Sequence, residues 1–188
     1  EMASFCVRIE TSRAVATQIL RHRSLSFQEF SQRYSEATEF EPIELRKQAI
    51  KNRQSSLEIF DPQIGMENVG LGKASEIIQQ HLIQTNILYS QLLEAGVSKE
   101  TARFILPLTT QTTLYMSGTI RSFIHYIALR TDEHTQKEHR EVALQIQGIF
   151  NGELPVIATA LAELKNEENE KALLYKLLMD GKITWPKD

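Results

Sequence analysis

Residues 3–20, ASFCVRIETSRAVATQIL, change periodicity halfway, and that change decides the fold class. Through Thr11 the pattern alternates. Phe5, Val7 and Ile9 fall on one side and Cys6, Arg8 and Glu10 on the other, as in a strand with one buried face. From Ser12 the spacing turns helical. Ser12 stands where an N-cap hydroxyl closes a first turn, and Ala16, Ile19 and Leu20 form the apolar face of a helix reaching about Leu20. Cys6 reads as a small buried hydrophobe of this strand. As the sole cysteine it excludes an internal disulfide and suits a reducing compartment.

The mixture continues outward. Residues 40–62 carry two prolines and several charges and read as strand and loop, and Gly70-Leu71-Gly72 reads as a hinge before a long helix. From Lys73 to Ala95, Ile77, Ile78, Leu82, Ile83, Ile87, Leu88, Leu92 and Leu93 recur at helical spacing, with Gly96 placed as a C′ glycine. So wide an apolar stripe belongs to a core or a subunit interface, and periodicity alone does not choose between them. Ser98 opens a shorter helix that Pro107 stops, residues 111–117 (QTTLYMS) favour strand, and 119–129 return to helix through Ile120, Phe123, Ile124 and Ile127. Further helices are expected over 135–150 and 155–164, and the charged stretch Glu163–Glu170 reads as a solvated helix face. Strands interspersed with long helices, without a regular βαβ rhythm, predict an α+β fold: a mixed or antiparallel sheet flanked by long helices.

At 188 residues the chain is the size of one domain, or of a domain with an appended helical hairpin. A chain of that length buries about 70% of its unfolded surface, enough for a real core. Hydrophobic content of 41% and charged content of 24% are ordinary for a soluble protein, no apolar run approaches the ~20 residues a bilayer demands, and no signal peptide is visible. His134, Glu138 and His139 do not have the spacing of a zinc-binding helix motif, so no metal is expected, and neither common glycine-rich phosphate loop is present.

Chemistry concentrates in two places. Residues 21–35, RHRSLSFQEFSQRYS, gather Arg21, Arg23 and Arg33 with His22, Glu29 and the hydroxyls of Ser24, Ser26 and Ser31, in a chain of formal net charge −3. A guanidinium is a planar, permanently charged fork that grips phosphate or a planar heterocycle, so this local focus suits a small anionic ligand better than a long polyanion. Residues 100–134 hold the second group. Arg121 and His125 lie one helical turn apart, opposite the Ile/Phe stripe, which makes them a polar site or a solvated face. Arg103 and Arg130 lie near helix ends, where a cation also offsets the dipole without any ligand.

The first stretch resembles the signature of flavin-dependent thymidylate synthases: Arg21-His22-Arg23 followed by Ser31, with Gln18 before it, Glu29 inside it and Arg33-Tyr34-Ser35 after it. The second half is similar too, with Arg103 ahead of Leu106-Pro107-Leu108 and a helix carrying Arg121-Ser122 and ending in Leu129-Arg130. Three positions depart from the family. Met2 stands where a histidine is common after Glu1, and Thr119 and His125 stand where many relatives have asparagine. The resemblance further implies one domain over 1–188, preceded in the family by an N-terminal stretch that helps hold the flavin and is expected to be missing here.

What the resemblance implies is reductive methylation of deoxyuridylate (dUMP) to thymidylate (dTMP). The carbon comes from 5,10-methylenetetrahydrofolate and the reducing equivalents from FAD reduced by NADPH. For dUMP it implies Gln18, Arg21, Glu29, Ser31, Gln32, Arg33, Arg103 and Arg130, the last of these polarising the pyrimidine ring. For FAD it implies Arg21, His22, Arg23, Glu29, Thr119, Arg121 and His125. Ser31 lacks a neighbouring base and is assigned to nucleotide binding rather than to attack. A cytoplasmic homotetramer with sites shared between subunits is expected, without nucleic acid or membrane partners. The rival reading is a nucleotide-binding or structural relative that has lost flavin. A nucleic-acid channel would need a broad basic field and stacking aromatics, and aromatics make up only 7% of the chain.

Overall fold

A computed structural model describes residues 2–32, 39–50, 56–66 and 70–180, of which 66, 173–175 and 177–179 by backbone alone. Glu1 and the signature residues Arg33, Tyr34 and Ser35 lie outside the described residues. The chain divides into two compact units, residues 1–143 and 144–188.

The first unit is built on a three-stranded antiparallel sheet. Strand β1 (Ser4–Ser12) leads directly into helix α1 (Arg13–Ile19), and β2 (Ser26–Glu29) follows. A hairpin of β3 (Arg46–Gln48) and β4 (Ser56–Ile59) comes next, then one of β5 (Gln63–Met66) and β6 (Gly70–Lys73). Helix α2 (Ala74–Glu94), the short α3 (Lys99–Ala102) and a 3₁₀ turn at Arg103–Ile105 lead to β7 (Gln111–Thr119) and α4 (Ile120–Arg130). Helix α5 (Lys137–Glu153) crosses into the second unit, which α6 (Pro155–Met179) completes. The α+β class and antiparallel pairing are as expected, and the last helix runs well past residue 164.

β7 is the central strand, in the order β1-β7-β2. Val7 pairs with Met116, Ile9 with Leu114, and Phe27 with Met116, so the alternating residues of three strands fall on one face. Helices α1 and α4 cover that face. Val15, Ala16, Ile19, Phe123, Tyr126 and Ile127 are buried there, and the Phe5 and Phe123 rings meet edge to face at 4.9 Å. The opposite face carries Cys6, Arg8, Gln28 and Tyr115 and is exposed within the chain. Cys6 is therefore an exposed thiol and not a core residue, because strand parity sets it opposite Val7. Leu20 is likewise not in the core: α1 closes at Ile19, Leu20 is its C-cap, and Val15 fills the place assigned to it. Ser12 is the N-cap as expected, but its hydroxyl makes no cap; its backbone N–H donates to Glu41 Oε2 at 2.9 Å instead.

Gly70-Leu71-Gly72 is strand and not a hinge, since Leu71 pairs with Gly65 and Gly72 with Ile64. Helix α2 is then started from outside: Ser75 donates its N–H and hydroxyl to Asp61 at 2.9 and 2.6 Å, and these bonds hold the Asp61 carboxyl below its usual range. It ends in a Schellman motif, with Gly96 at φ +88°, Gly96 N–H on Leu93 O and Val97 N–H on Leu92 O. Between these ends only Ala74, Ile77 and Tyr89 are buried, while Ile83 (52%), Ile87 and Leu88 (48%) are exposed. Much of the apolar stripe is thus left exposed or only half-covered by the described residues.

Candidate active site: a cleft where two helices meet

Antiparallel pairing of β1 with β7 makes the site. Ser12 lies opposite Gln111 and Ser4 opposite Thr119, so α1 and α4 leave the strand pair at opposite ends. Each returns over the same sheet face. At ~1.5 Å per helical residue, α1 and α4 together span most of the roughly 30 Å of strand beneath them, so their C-terminal ends meet near its middle. The end of α1 delivers Gln18. The chain then turns through bonds from Arg21 N–H to Gln18 O and His22 N–H to Ile19 O, leaving Arg21 and Arg23 exposed and His22 buried between them. The last residue of α4 is Arg130.

Gln18, Arg21 and Arg130 line one cavity of ≈ 770 Å³, together with Asp132, His134 and Gln136. Below it, Arg130 Nε donates to His22 Nε2 at 2.8 Å. That bond requires an unprotonated Nε2, and the surroundings keep it so. Burial first, then the neighbouring Arg130 and His125, lower the His22 pKa from 6.5 to about 4. Tyr126 meets the His22 ring edge-on at 4.8 Å, and its hydroxyl approaches His139 Nε2 at 3.2 Å. Burial raises the Tyr126 phenol above its ordinary range. His139 is fully buried, and burial, Arg130 and His22 lower it to about 4. The cavity thus rests on two neutral imidazoles and a neutral phenol, with one guanidinium held rigidly at its edge.

Other expected residues lie apart from this cavity. Glu29 ends β2 on the inner sheet face, where its Oε1 accepts from Thr112 Oγ1 at 2.9 Å and faces Arg13 Nη1 at 3.2 Å. Ser31 is half-buried and Gln32 buried, with Gln32 Nε2 finding no hydrogen-bond partner among the described residues. Arg103 sits on the 3₁₀ turn, donates Nε to Glu100 O at 3.2 Å and stacks over Phe104, outside the cavity within one chain. Thr119 caps α4 by accepting from Ser122 N–H at 3.2 Å, and Arg121 and His125 occupy the exposed face of that helix.

Arg13, Tyr126, Gln136 and His139 were not found by sequence reasoning as parts of the site. Tyr126 could have been, since it lies four residues before Arg130 and so on the same face of α4. Arg13, Gln136 and His139 had no such local signal. Among the described residues no group of three histidine, cysteine or acidic side chains is placed to hold a metal ion, and no helix is long and apolar enough to cross a membrane.

A sheet roofed by two helices whose ends present guanidinium and carboxamide groups to a cavity has the chemistry to suit a small anionic, hydrogen-bonding ligand. Comparison with known proteins names the class. Residues 1–156 match the family described as thymidylate synthase complementing protein. The chain is 49% identical over 161 residues to the flavin-dependent thymidylate synthase of Synechocystis, covering 86% of this chain and 72% of that one. It is 49% identical over 163 residues to a probable flavin-dependent thymidylate synthase of Paramecium bursaria Chlorella virus 1, with the same coverage, and 33% identical over 153 residues to the enzyme of Thermosipho africanus, covering 80% of this chain and 64% of that one. The chain belongs to the thymidylate synthase complementing protein family, whose members include these flavin-dependent thymidylate synthases.

Proposed function

We propose that this protein is a flavin-dependent thymidylate synthase, a methyltransferase converting dUMP to dTMP with FAD, NADPH and 5,10-methylenetetrahydrofolate. The observation that carries the reading is the convergence of Gln18, Arg21 and Arg130 on one cavity, with Arg130 fixed from beneath by His22. Uracil is a poor electrophile until charge developing at N3 and its carbonyl is stabilised. With Nε committed to His22, the guanidinium of Arg130 keeps its terminal nitrogens for that charge. A donor fixed in advance in a dry site is worth several kcal/mol, or ~10²-fold or more in rate. Gln18 and Arg21 read the pyrimidine and ribose. Ser31, Gln32, Arg33 and Arg103 serve the phosphate and Glu29 the nucleotide and flavin.

The donor set fits a flavin dinucleotide. Arg21, Arg23, Arg121 and His125 are all exposed, and guanidinium groups suit its pyrophosphate. His22, committed to Arg130, contributes by shaping the turn that carries Arg21 and Arg23, and Thr119 by setting the start of α4. When bound, the flavin supplies the reducing equivalents.

Arg103 does not reach the cavity of its own chain, and the uncovered stripe of α2 is that of a subunit interface. Both support a homotetramer in which each site draws on several protomers. The nucleotide, folate and nicotinamide compounds are soluble metabolites, which suits a cytoplasmic enzyme. Purified protein is expected to show the absorbance of oxidised flavin. Colourless protein that takes up no added flavin favours the rival, a nucleotide-binding relative without redox chemistry. Arg130→Ala with flavin retained is expected to lose ~10²-fold in thymidylate formation; an undiminished rate removes Arg130 from its role.

A further inference from the structure

Behind the cavity wall runs a chain of side-chain hydrogen bonds that includes Gln18. Tyr126 Oη lies 3.2 Å from His139 Nε2, and His139 Nδ1 lies 3.3 Å from Gln18 Oε1. Gln18 Nε2 lies 2.6 Å from Gln136 Oε1, and Gln136 Nε2 lies 2.9 Å from Glu138 Oε2. The polarity of every link follows from the last. A carboxylate has no proton to give. Burial works to raise the Glu138 pKa, but bonds from Gln136, its own backbone N–H and Arg46 outweigh it and hold the group below its ordinary value, ionised. Gln136 must therefore donate to Glu138 through Nε2, which turns its Oε1 toward Gln18. Gln18 donates Nε2 in turn, and its Oε1 accepts from His139 Nδ1–H. That leaves His139 Nε2 bare to receive the Tyr126 hydroxyl proton. A fully buried imidazole with a pKa of about 4 carries a single proton, as this direction of bonding requires.

We infer that Glu138, Gln136 and His139 are positioning residues that lock the Gln18 carboxamide with its remaining Nε2–H toward the cavity, so that the site selects a pyrimidine offering a carbonyl over one offering an amine. A glutamine held only by its own rotamer reverses its amide and reads either partner equally. One held at both ends must break two hydrogen bonds to do so. The inference rests on the nucleotide reading of the cavity given above and adds to it the origin of the choice between uracil and cytosine.

The test is calorimetric titration of the purified full chain with dUMP and with deoxycytidylate (dCMP). The unsubstituted protein is expected to prefer dUMP. Glu138→Gln keeps the side chain's shape but replaces a pure acceptor with a group that also donates, which frees the amide series to reverse; the preference is expected to fall roughly tenfold. His139→Asn keeps a donor near the Nδ1 position and retains the preference, whereas His139→Gln places its donor on the Nε2 side and loses it by a similar factor. If Glu138→Gln leaves the dUMP:dCMP ratio unchanged while dUMP still binds, the inference is overturned and the nucleotide reading stands. If the two His139 variants lose preference equally, His139 is packing alone and its part is overturned. Should either His139 variant not fold, Glu138→Gln decides by itself. An unsubstituted protein that binds neither nucleotide overturns the reading of the cavity and this inference together.

Discussion

Acid should unfold this protein through its site before it titrates the carboxylates. His22 and His139 are buried, and burial with the neighbouring Arg130 lowers each from 6.5 to about 4. In the unfolded chain both return to about 6.5. As pH falls, the unfolded state therefore takes up protons first. The stability associated with the neutral imidazoles is complete above about pH 7.5, declines as pH drops through 6.5, and levels off below about 4, where both states are charged. At pH 5 the linkage relation gives roughly 2 kcal/mol for each imidazole. Protonated, the two rings would repel each other, and counting that repulsion once leaves about 3 kcal/mol for the pair. Lowered carboxyls such as Glu138 and Asp61 act in the same direction but only below their ordinary range near pH 4, so the interval from 6.5 to 5 belongs to the imidazoles. The assay is urea denaturation at pH 7.5, 6.5, 5.5 and 5.0 at fixed protein concentration. Unfolding free energy should fall by about 3 kcal/mol over this range, and by about half as much in His139→Asn. A flat profile, or an equal slope in the variant, would refute the claim that these rings are held neutral.

Three further outcomes follow from the fold. Leu88→Lys on the exposed stripe of α2 is expected to dissociate the proposed oligomer, seen by light scattering, with association weakened at least tenfold because an unpaired charge would enter the proposed interface; unchanged mass excludes this stripe as the contact. A Cβ on Gly118 would lie 2.6 Å from Leu25 Cδ2 and 3.5 Å from Ser24 O, so Gly118→Ala presses on the turn bearing Arg23 and should cost about 1–2 kcal/mol in thermal stability while weakening nucleotide binding. Gly96→Ala must adopt φ +88° at the end of α2 and should cost about 1 kcal/mol without changing nucleotide affinity, which separates general destabilisation from damage to the site.

The parts of this molecule that were legible in the sequence are those set by local repetition. Alternation located β1, Thr and Tyr content located β7, helical spacing located α2 and α4, and Gly96 marked the end of α2. The misreadings arise where a local rule met a non-local fact. Cys6 is as apolar as a core residue, but parity with Val7 places it on the face that no described element of this chain covers. The glycines at 70–72 have hinge composition, but β5 supplies a pairing partner. The site divides the same way. The cluster at residues 21–23 was visible because its cations are adjacent, whereas the bond from Arg130 to His22 depends on which strands pair and in which direction. Reverse β7 against β1 and α4 would leave from the same end as α1; its arginine would then pass the turn at Arg21 rather than meet it. Strand direction, a property of no single residue, therefore assembles this site, and the buried imidazoles are what hold the two helix ends at working distance once they arrive.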